Sequence, residues 1–329
     1  MPPPTPIPIR IEENLIYALP LAAGGMLLVD AGPDALGAWA EVQGRVASRG
    51  FAVSDVRAVL VTHAHIDHAG LAQRWALAGA QILAGAADIP ALVAGRAFHE
   101  ERLPLRLDTL RRHGANDDVL AVYEAGQPRR GLAWEPCAEA SVHAIEDGTR
   151  IPLAEGAELR VIAVPGHTPG NLVAVIEAGD VEPRDLYAGD TLLPHEVPTS
   201  GLHYPVGPDG RVGPRWPSLP PFLRSMATLR ALGSRRVLQG HGQPGAHSLR
   251  LVDRFEAHHA RRRARYRALL AEQPDTALGL VERAFRFIGP LHQAAAMIEA
   301  IGHLDILAGS GEAVREEGAE GVVRHRLVG

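Results

Sequence analysis

The 329-residue chain contains no lysine, so all 33 of its basic side chains are arginine. A Schiff-base mechanism and a phosphate-binding loop ending in Gly-Lys are therefore excluded. Cysteine is nearly as scarce: the single Cys137 can neither close an intramolecular disulfide nor build a thiolate-rich zinc site, and it reads as one ordinary, partly buried thiol. Aromatic residues make up 5% of the chain, and 38 acidic residues leave a net charge of −5, which disfavours a general nucleic-acid binder. No hydrophobic run reaches the roughly 20 uninterrupted residues of a membrane helix. The most apolar early stretch, Leu15 to Val29, is broken by Pro20 and by Gly24-Gly25 and reads as two strands joined by a turn. The opening MPPPTPIPIR has neither a basic n-region nor a continuous apolar h-region, so no signal peptide is expected and the cytoplasm is the expected compartment.

With 46% hydrophobic residues, the chain can fill one large core or two ordinary ones. Up to about residue 245, short Val/Ile/Leu runs alternate with Ala-rich helical stretches, the texture of an α/β domain. Four of these runs end directly in a polar residue suited to binding a metal or supporting one: Met26 to Val29 before Asp30, Val56 to Val61 before Thr62-His63, Leu159 to Val164 before Pro165-Gly166-His167, and Asp185 to Ala188 before Gly189-Asp190. Loops at strand ends are where α/β proteins assemble sites. Two segments interrupt the rhythm. Residues 90 to 140 carry helical patterns over Ala91–Arg112, with Leu103, Leu107 and Leu110 at helical spacing, and over Asp117–Ala125. Leu192 to Pro221 is crowded with proline and glycine, and a long irregular stretch of this kind is usually a functional loop. A boundary is expected near residue 247, dividing a domain of residues 1–247 from one of residues 248–329. The second should hold helices at about 247–272, 275–287 and 290–308 and a small hairpin, Val314–Glu317 and Val322–Leu327, around Gly318 to Gly321, the outline of a winged helix.

The strongest local signal is Thr62-His63-Ala64-His65-Ile66-Asp67-His68-Ala69-Gly70, which places four nitrogen or oxygen ligands within six residues, after a strand and before a helix. Crowded imidazoles gain nothing without a metal or a partner. His167 in Pro-Gly-His-Thr-Pro-Gly, Asp190 in Gly-Asp-Thr and His241 in Gly-His-Gly are weak signals singly. Together they follow apolar strands, with glycines that permit close approach to one centre.

This ordered set resembles the dinuclear hydrolases of the metallo-β-lactamase fold superfamily over roughly residues 10 to 245. The resemblance implies a four-layer αββα sandwich, followed here by the helical, winged-helix-like region. It also implies that His63, His65 and His167 bind one metal, that Asp67, His68 and His241 bind a second, and that Asp190 bridges the two. Asp30 matches the acidic residue that supports the ligand histidines, fixing tautomer and ring direction. Five imidazoles and two carboxylates suit two divalent ions, zinc first, with iron or manganese as alternatives. A hydroxide bridging such ions would attack an ester-like carbonyl, with Asp67 orienting it and then passing a proton to the leaving group.

The family's fold and metals do not select a substrate. The helices at 90–140 are expected to form a lid or wall, with Phe98, His99 and Tyr123 as candidate lining residues. His195, His203 and Tyr204 are candidates from the irregular segment. The segment Gly189 to His195 and the C-terminal outline resemble a subgroup near the hydroxyacylglutathione hydrolases, which implies a glutathione or coenzyme A thioester as the small-molecule substrate. With no lysine, the basic pocket usual in those hydrolases needs arginine in another geometry. A lactonase or other carboxylic-ester hydrolase is the alternative, followed by a ribonuclease suggested by the basic stretch Arg254 to Arg267. A scaffolding protein with a decayed metal site is disfavoured by the complete ligand set. Neither nucleic acid nor membrane is an expected partner, and the C-terminal region is expected to pack on the catalytic domain or to form a homodimer interface.

Overall fold

A computed structural model describes residues 4–126, 133–179, 185–233, 235–318 and 321–328. The chain opens with β1 (Ile7–Ile11), β2 (Asn14–Pro20) and β3 (Met26–Val29), so Leu15 to Val29 does form two strands about a Gly24-Gly25 turn. Then follow α1 (Ala38–Ser48), β4 (Val56–Leu60), the single turn α2 (Ile66–Ala69), α3 (Ala72–Leu77), β5 (Gln81–Ala84), α4 (Ile89–Ala94), α5 (Arg96–Arg112), α6 (Asp117–Ala125) and β6 (Val142–Ala144). The first six strands form one sheet in sequence order, antiparallel across β1-β2-β3 and parallel across β3-β4-β5-β6.

A second sheet is built from β7 (Arg150–Pro152), β8 (Glu158–Ala163), β9 (Leu172–Glu177), β10 (Asp185–Gly189) and, beyond the short pair β11 (Leu202–His203) and β12 (Trp216–Pro217) and helix α7 (Leu219–Ala231), β13 (Arg236–Gln239). Its order is β13-β10-β9-β8-β7. Leu15, Tyr17, Leu27 and Leu60 of the first sheet meet Leu159, Val161, Ala174 and Tyr187 of the second in a buried layer. The outer face of the first sheet is covered by α1, α3 and α4, through residues such as Val42, Trp75 and Leu92. The outer face of the second is covered by α7 and the first half of α8 (Ser248–Glu272), through Phe222, Met226, Val252 and Phe255. The result is the expected four-layer αββα sandwich. Parallel strands β3 and β4 are almost wholly apolar because both their faces are covered.

The chain ends with α8, α9 (Ala277–Ala284), α10 (Pro290–Gly309) and the antiparallel pair β14 (Ala313–Glu317) and β15 (Val323–Leu327). The helix α8 runs unbroken past the sandwich, and its second half, with Tyr266, Leu269 and Leu270, enters a separate core with Leu280, Met297, Ile301 and Leu304. Leu110 of α5 and Val119 and Leu120 of α6 belong to that same core. The 90–140 helices are therefore welded to the C-terminal helices; among the described residues, they are not a free lid.

The expected continuous helix over Ala91–Arg112 is two helices. Gly95 breaks it with φ +58°, and a Cβ there would lie 2.6 Å from the Trp134 carbonyl oxygen. The buried face of α5 is also not the leucine stripe read from the sequence. Arg102, Arg106 and Leu110 are buried, while Leu103 and Leu107 are only half-buried. Residues 127–132 of the insertion and 319–320 of the hairpin turn lie outside the described residues. No helix among the described residues is long and apolar enough to cross a membrane.

Candidate metal centre

Each candidate ligand sits where a strand or a first helical turn meets one end of the sandwich. The 62–65 loop leaves β4, and α2 carries Asp67 and His68; β10 delivers Asp190 and β13 delivers His241. The loop after β8 carries His167. The His241 turn is tied to the first sheet, since Leu15 N–H donates to the Gly240 carbonyl at 2.7 Å and the Tyr17 hydroxyl donates to the Gln239 carbonyl at 2.9 Å. Glycine is required at 240, where a Cβ would lie 2.2 Å from His68 Cε1 and 3.0 Å from Asp190 Oδ1.

All seven side chains converge. His65 Nδ1 lies 3.1 Å from both His63 Nε2 and His167 Nε2. Beside that triad, His241 Nε2 lies 3.2 Å from both His68 Nε2 and Asp67 Oδ2. Asp190 stands between the two groups: Oδ1 is 3.2 Å from His68 Nε2, and Oδ2 is 3.4 Å from His241 Nε2 and 3.9 Å from His167 Nε2. Ligand atoms of His63, His65 and His167, and separately of Asp67, His68 and His241, each fall within 4.8 Å of one another.

The outer nitrogens of three of these rings already have partners. His68 Nδ1 is 2.9 Å from Asp30 Oδ2, and His167 Nδ1 is 3.0 Å from the Thr199 carbonyl oxygen. His63 Nδ1 is 3.1 Å from Thr62 Oγ1, which in turn lies 3.1 Å from Asp30 Oδ2. An N–H donated outward leaves a lone pair on the inward nitrogen, the tautomer a metal ligand needs. Burial foremost, then neighbouring imidazoles, pushes His63 and His65 well below 6.5, keeping them neutral. Burial opposes charge on His68 as well, yet the carboxylates of Asp190 and Asp30 raise it well above 6.5. His241 is likewise raised to about 9, chiefly by Asp190 and Asp67 against its own burial. Burial would raise Asp190, but His68, His241 and His63 hold it well below the usual carboxylate range. The field is therefore one that favours positive charge at its centre, and Asp190 Oδ1 is buried without a hydrogen-bond partner among the described residues. Lone pairs on nitrogen, two carboxylates and this field fit divalent cations.

Asp30 is held at φ +67°, a conformation costly for a residue with a side chain and characteristic of functional positions. There its carboxylate also accepts from Thr62 N–H at 2.8 Å. Asp88, which the sequence reading passed over, is its counterpart. Its buried carboxylate accepts from Ala64 N–H at 2.9 Å, Thr168 Oγ1 at 2.7 Å and Gly170 N–H at 2.8 Å, joining the loops that carry His63 and His65 to the loop that carries His167. The available signal was another strand end: Asp88 follows β5 by four residues.

The centre opens into a cavity of about 400 Å³ whose lining includes His65, Asp67, His167 and Asp190. His99, Phe98, Tyr123, His203 and Tyr204 all border it, and the C-terminal helix α10 contributes Ile298. Several of these candidates hold the wall together. His203 Nε2 donates to the His167 carbonyl at 2.9 Å, and the Tyr204 hydroxyl donates to the Leu105 carbonyl at 2.9 Å. His99 and His203 are both pushed down to about 3, by burial first and then by Arg106. His195 departs from expectation: it is exposed beside Gly242 and outside the cavity lining, although its neighbours Leu193 and Glu196 line the cavity, in a loop whose Leu193, Pro194 and Glu196 carbonyls accept from Arg254.

A profile described as the metallo-beta-lactamase superfamily matches residues 21–241, and one described as the metallo-beta-lactamase-like C-terminal domain matches residues 264–328. A Bacillus subtilis protein named "Probable metallo-hydrolase YqjP" is 26% identical over 302 residues, covering 92% of this chain and 90% of that protein. The crystal structure of a metallo-beta-lactamase family protein from Thermus thermophilus superposes with a TM-score of 0.71 at 27% identity, covering 99% of this chain and 97% of that one. A beta-lactamase domain protein from Burkholderia ambifaria shares the fold, with a TM-score of 0.70 at 23% identity over 99% of this chain and 91% of that one.

Proposed function

The chain belongs to the metallo-beta-lactamase superfamily, with that family's C-terminal domain behind the sandwich, and from this premise we propose a metal-dependent hydrolase that cleaves a glutathione- or coenzyme A-type thioester. The observation that carries the reading is the convergence of seven ligand side chains, four of which (His65, Asp67, His167 and Asp190) line one cavity. His63, His65 and His167 would hold one divalent ion and Asp67, His68 and His241 a second, with Asp190 shared; zinc suits this donor set first, and iron or manganese would also fit. Such ions supply a hydroxide nucleophile near neutral pH and Lewis-acid stabilisation of the developing oxyanion.

The chain's own groups do the rest. Asp67 lines the cavity floor, where its carboxylate can orient the attacking oxygen and carry its proton to the leaving sulfur. The C–O bond forms, the C–S bond breaks, and the thiolate departs protonated. No protein nucleophile is needed, and Cys137 is unsuited to be one, since burial pushes its thiol up to about 12. Phe98, Trp134, Val197 and Ile298 give the cavity the apolar walls that an acyl chain requires. The segment from Gly189 to His195, and the three helices and hairpin of the C-terminal domain, support placing the chain near the hydroxyacylglutathione hydrolases, with a winged-helix-like extension. The basic helix gives a ribonuclease little support: Arg262 pairs with Glu299, Arg267 pairs with Glu312, and Arg254 is spent on loop carbonyls.

The test is a substrate panel of glutathione and coenzyme A thioesters, lactones and single-stranded RNA, run with zinc-, iron- and manganese-loaded protein. The expected result is metal-dependent thiol release that exceeds lactone opening. Lactone or RNA cleavage without thiol release would overturn the assignment.

A further inference from the structure

Two arginines one turn apart on the buried face of α5 meet different fates. Arg102 has a counter-ion: Nε donates to the Tyr204 carbonyl at 2.7 Å, Nη1 reaches the Phe98 carbonyl at 3.0 Å and Glu101 at 2.8 Å, and the guanidinium lies 3.5 Å over the Phe98 ring. It does not line the cavity. Arg106 does line it, is 8% exposed, and donates only through Nε, to the Leu202 carbonyl at 3.1 Å. Among the described residues, no carboxylate pairs with Arg106 and no acceptor takes its two terminal nitrogens, and burial, foremost, works against its charge. Arg96 and Glu196 also line the cavity, but among the described residues neither is bonded to Arg106, whose guanidinium faces it with a backbone carbonyl as its sole hydrogen-bond acceptor.

A buried guanidinium without a counter-ion is unfavourable unless something else completes it. Its planar fork matches a carboxylate bidentately. The fork shares a cavity with the metal centre, so the group completing it would belong to the molecule being hydrolysed. We propose that Arg106 is a substrate-binding residue that selects thioesters carrying a carboxylate away from the scissile carbonyl. This rests on the thioesterase reading and narrows it to thioesters that carry a carboxylate. Because a guanidinium bonds a carboxylate more strongly than it bonds a neutral group, a neutral amide in place of the carboxylate should bind much less well.

The experiment compares S-ethyl monothiosuccinate and S-acetyl-3-mercaptopropionate, which place the carboxylate on the acyl and the thiol side, with the primary amide of each. Metal-loaded wild-type protein, Arg106→Met and Arg106→Lys are assayed, with folding and metal content checked. The expected result is that the wild type prefers at least one acid over its amide by about thirtyfold in kcat/KM, a size typical of hydrogen bonds to charged groups. Arg106→Met should erase the preference through KM, and Arg106→Lys, which keeps the charge and loses the fork, should recover part of it. Absence of preference in the wild type, or equal losses on acid and amide in Arg106→Met, would overturn the proposal and leave Arg106 as a brace for the Leu202 carbonyl. If neither thioester is cleaved, the thioesterase reading fails, and Arg106 is judged by calorimetric binding of 3-phenylpropionate against 3-phenylpropanamide. Tighter binding of the acid by at least about tenfold, lost in Arg106→Met, supports the anion site; equal binding by wild type and variant overturns it.

Discussion

At the scale of single residues, the site depends as much on the groups behind the ligands as on the ligands. Asp30 and Asp88 each join backbone or side-chain donors from separate segments, and both are buried. Asp88→Asn replaces an all-acceptor carboxylate with an amide whose NH₂ must face one of three donors. Metal affinity should fall by about 10- to 100-fold, as is usual for supporting shells, which competition with a graded chelator would measure; unchanged affinity would show that the 63–65 and 167–170 loops hold their geometry without it. The seven candidate ligands could be picked out from the sequence because four lie in one six-residue run and the others stand at strand ends beside glycine. Asp88 was harder to find, because its partners are 24, 80 and 82 residues away and its position shortly after a strand end was the one local sign. Arg106 was hidden for a different reason: an arginine in a charged helix is ordinarily a solvated one, and only tertiary packing turned it inward.

At the scale of elements, strands could be read and helix faces could not. Apolar runs bounded by glycine, proline and aspartate gave β3, β4, β8 and β10 to within a residue or so, since β3 and β10 are buried throughout and β4 and β8 are buried over most of their apolar positions. Helix α5 misled because its leucines at 103 and 107 are only half-buried while Arg102 and Arg106 face inward, held by carbonyls of the 202–204 segment. Leu110, fully buried in the same core as Leu280 and Met297, links the insertion to the C-terminal helices. Leu110→Ala should therefore cost about 2–5 kcal/mol, read by denaturant unfolding, and should loosen α9 and α10 together with α5. A loss below about 1 kcal/mol, smaller than a filled core site yields, would mean that the two segments do not share a core.

For the whole molecule, the C-terminal region is part of the cavity's construction, because α10 places Ile298 in its wall and packs on α5 and α6. That region, together with the end of α5, also holds several histidines kept neutral. His113, His259 and His303 are lowered to about 3 and His325 to about 4, in each case by burial first. Facing charges add to this: Arg112, Arg215 and Arg315 around His113 and His325, and Arg262 with His258 around His259 and His303, against which Glu299 acts on His259. Unfolded, these groups take up protons near 6.5; folded, they do not until far lower, so stability is present above about 6.5 and is lost as pH falls toward 4. His68 and His241 shift the opposite way but are outnumbered. The melting temperature should therefore fall steadily between pH 7 and 4.5, and a flat profile would contradict the neutral, buried assignment. The central claim, that this constellation is a catalytic metal centre, is tested most directly by measuring bound metal and turnover together in wild type, His65→Ala and Asp190→Asn on the best thioester. The account predicts about two divalent ions per wild-type chain and at least a roughly thousandfold loss of turnover in each variant with the fold retained. Near-normal turnover in either variant, or in wild type stripped of metal, would contradict it.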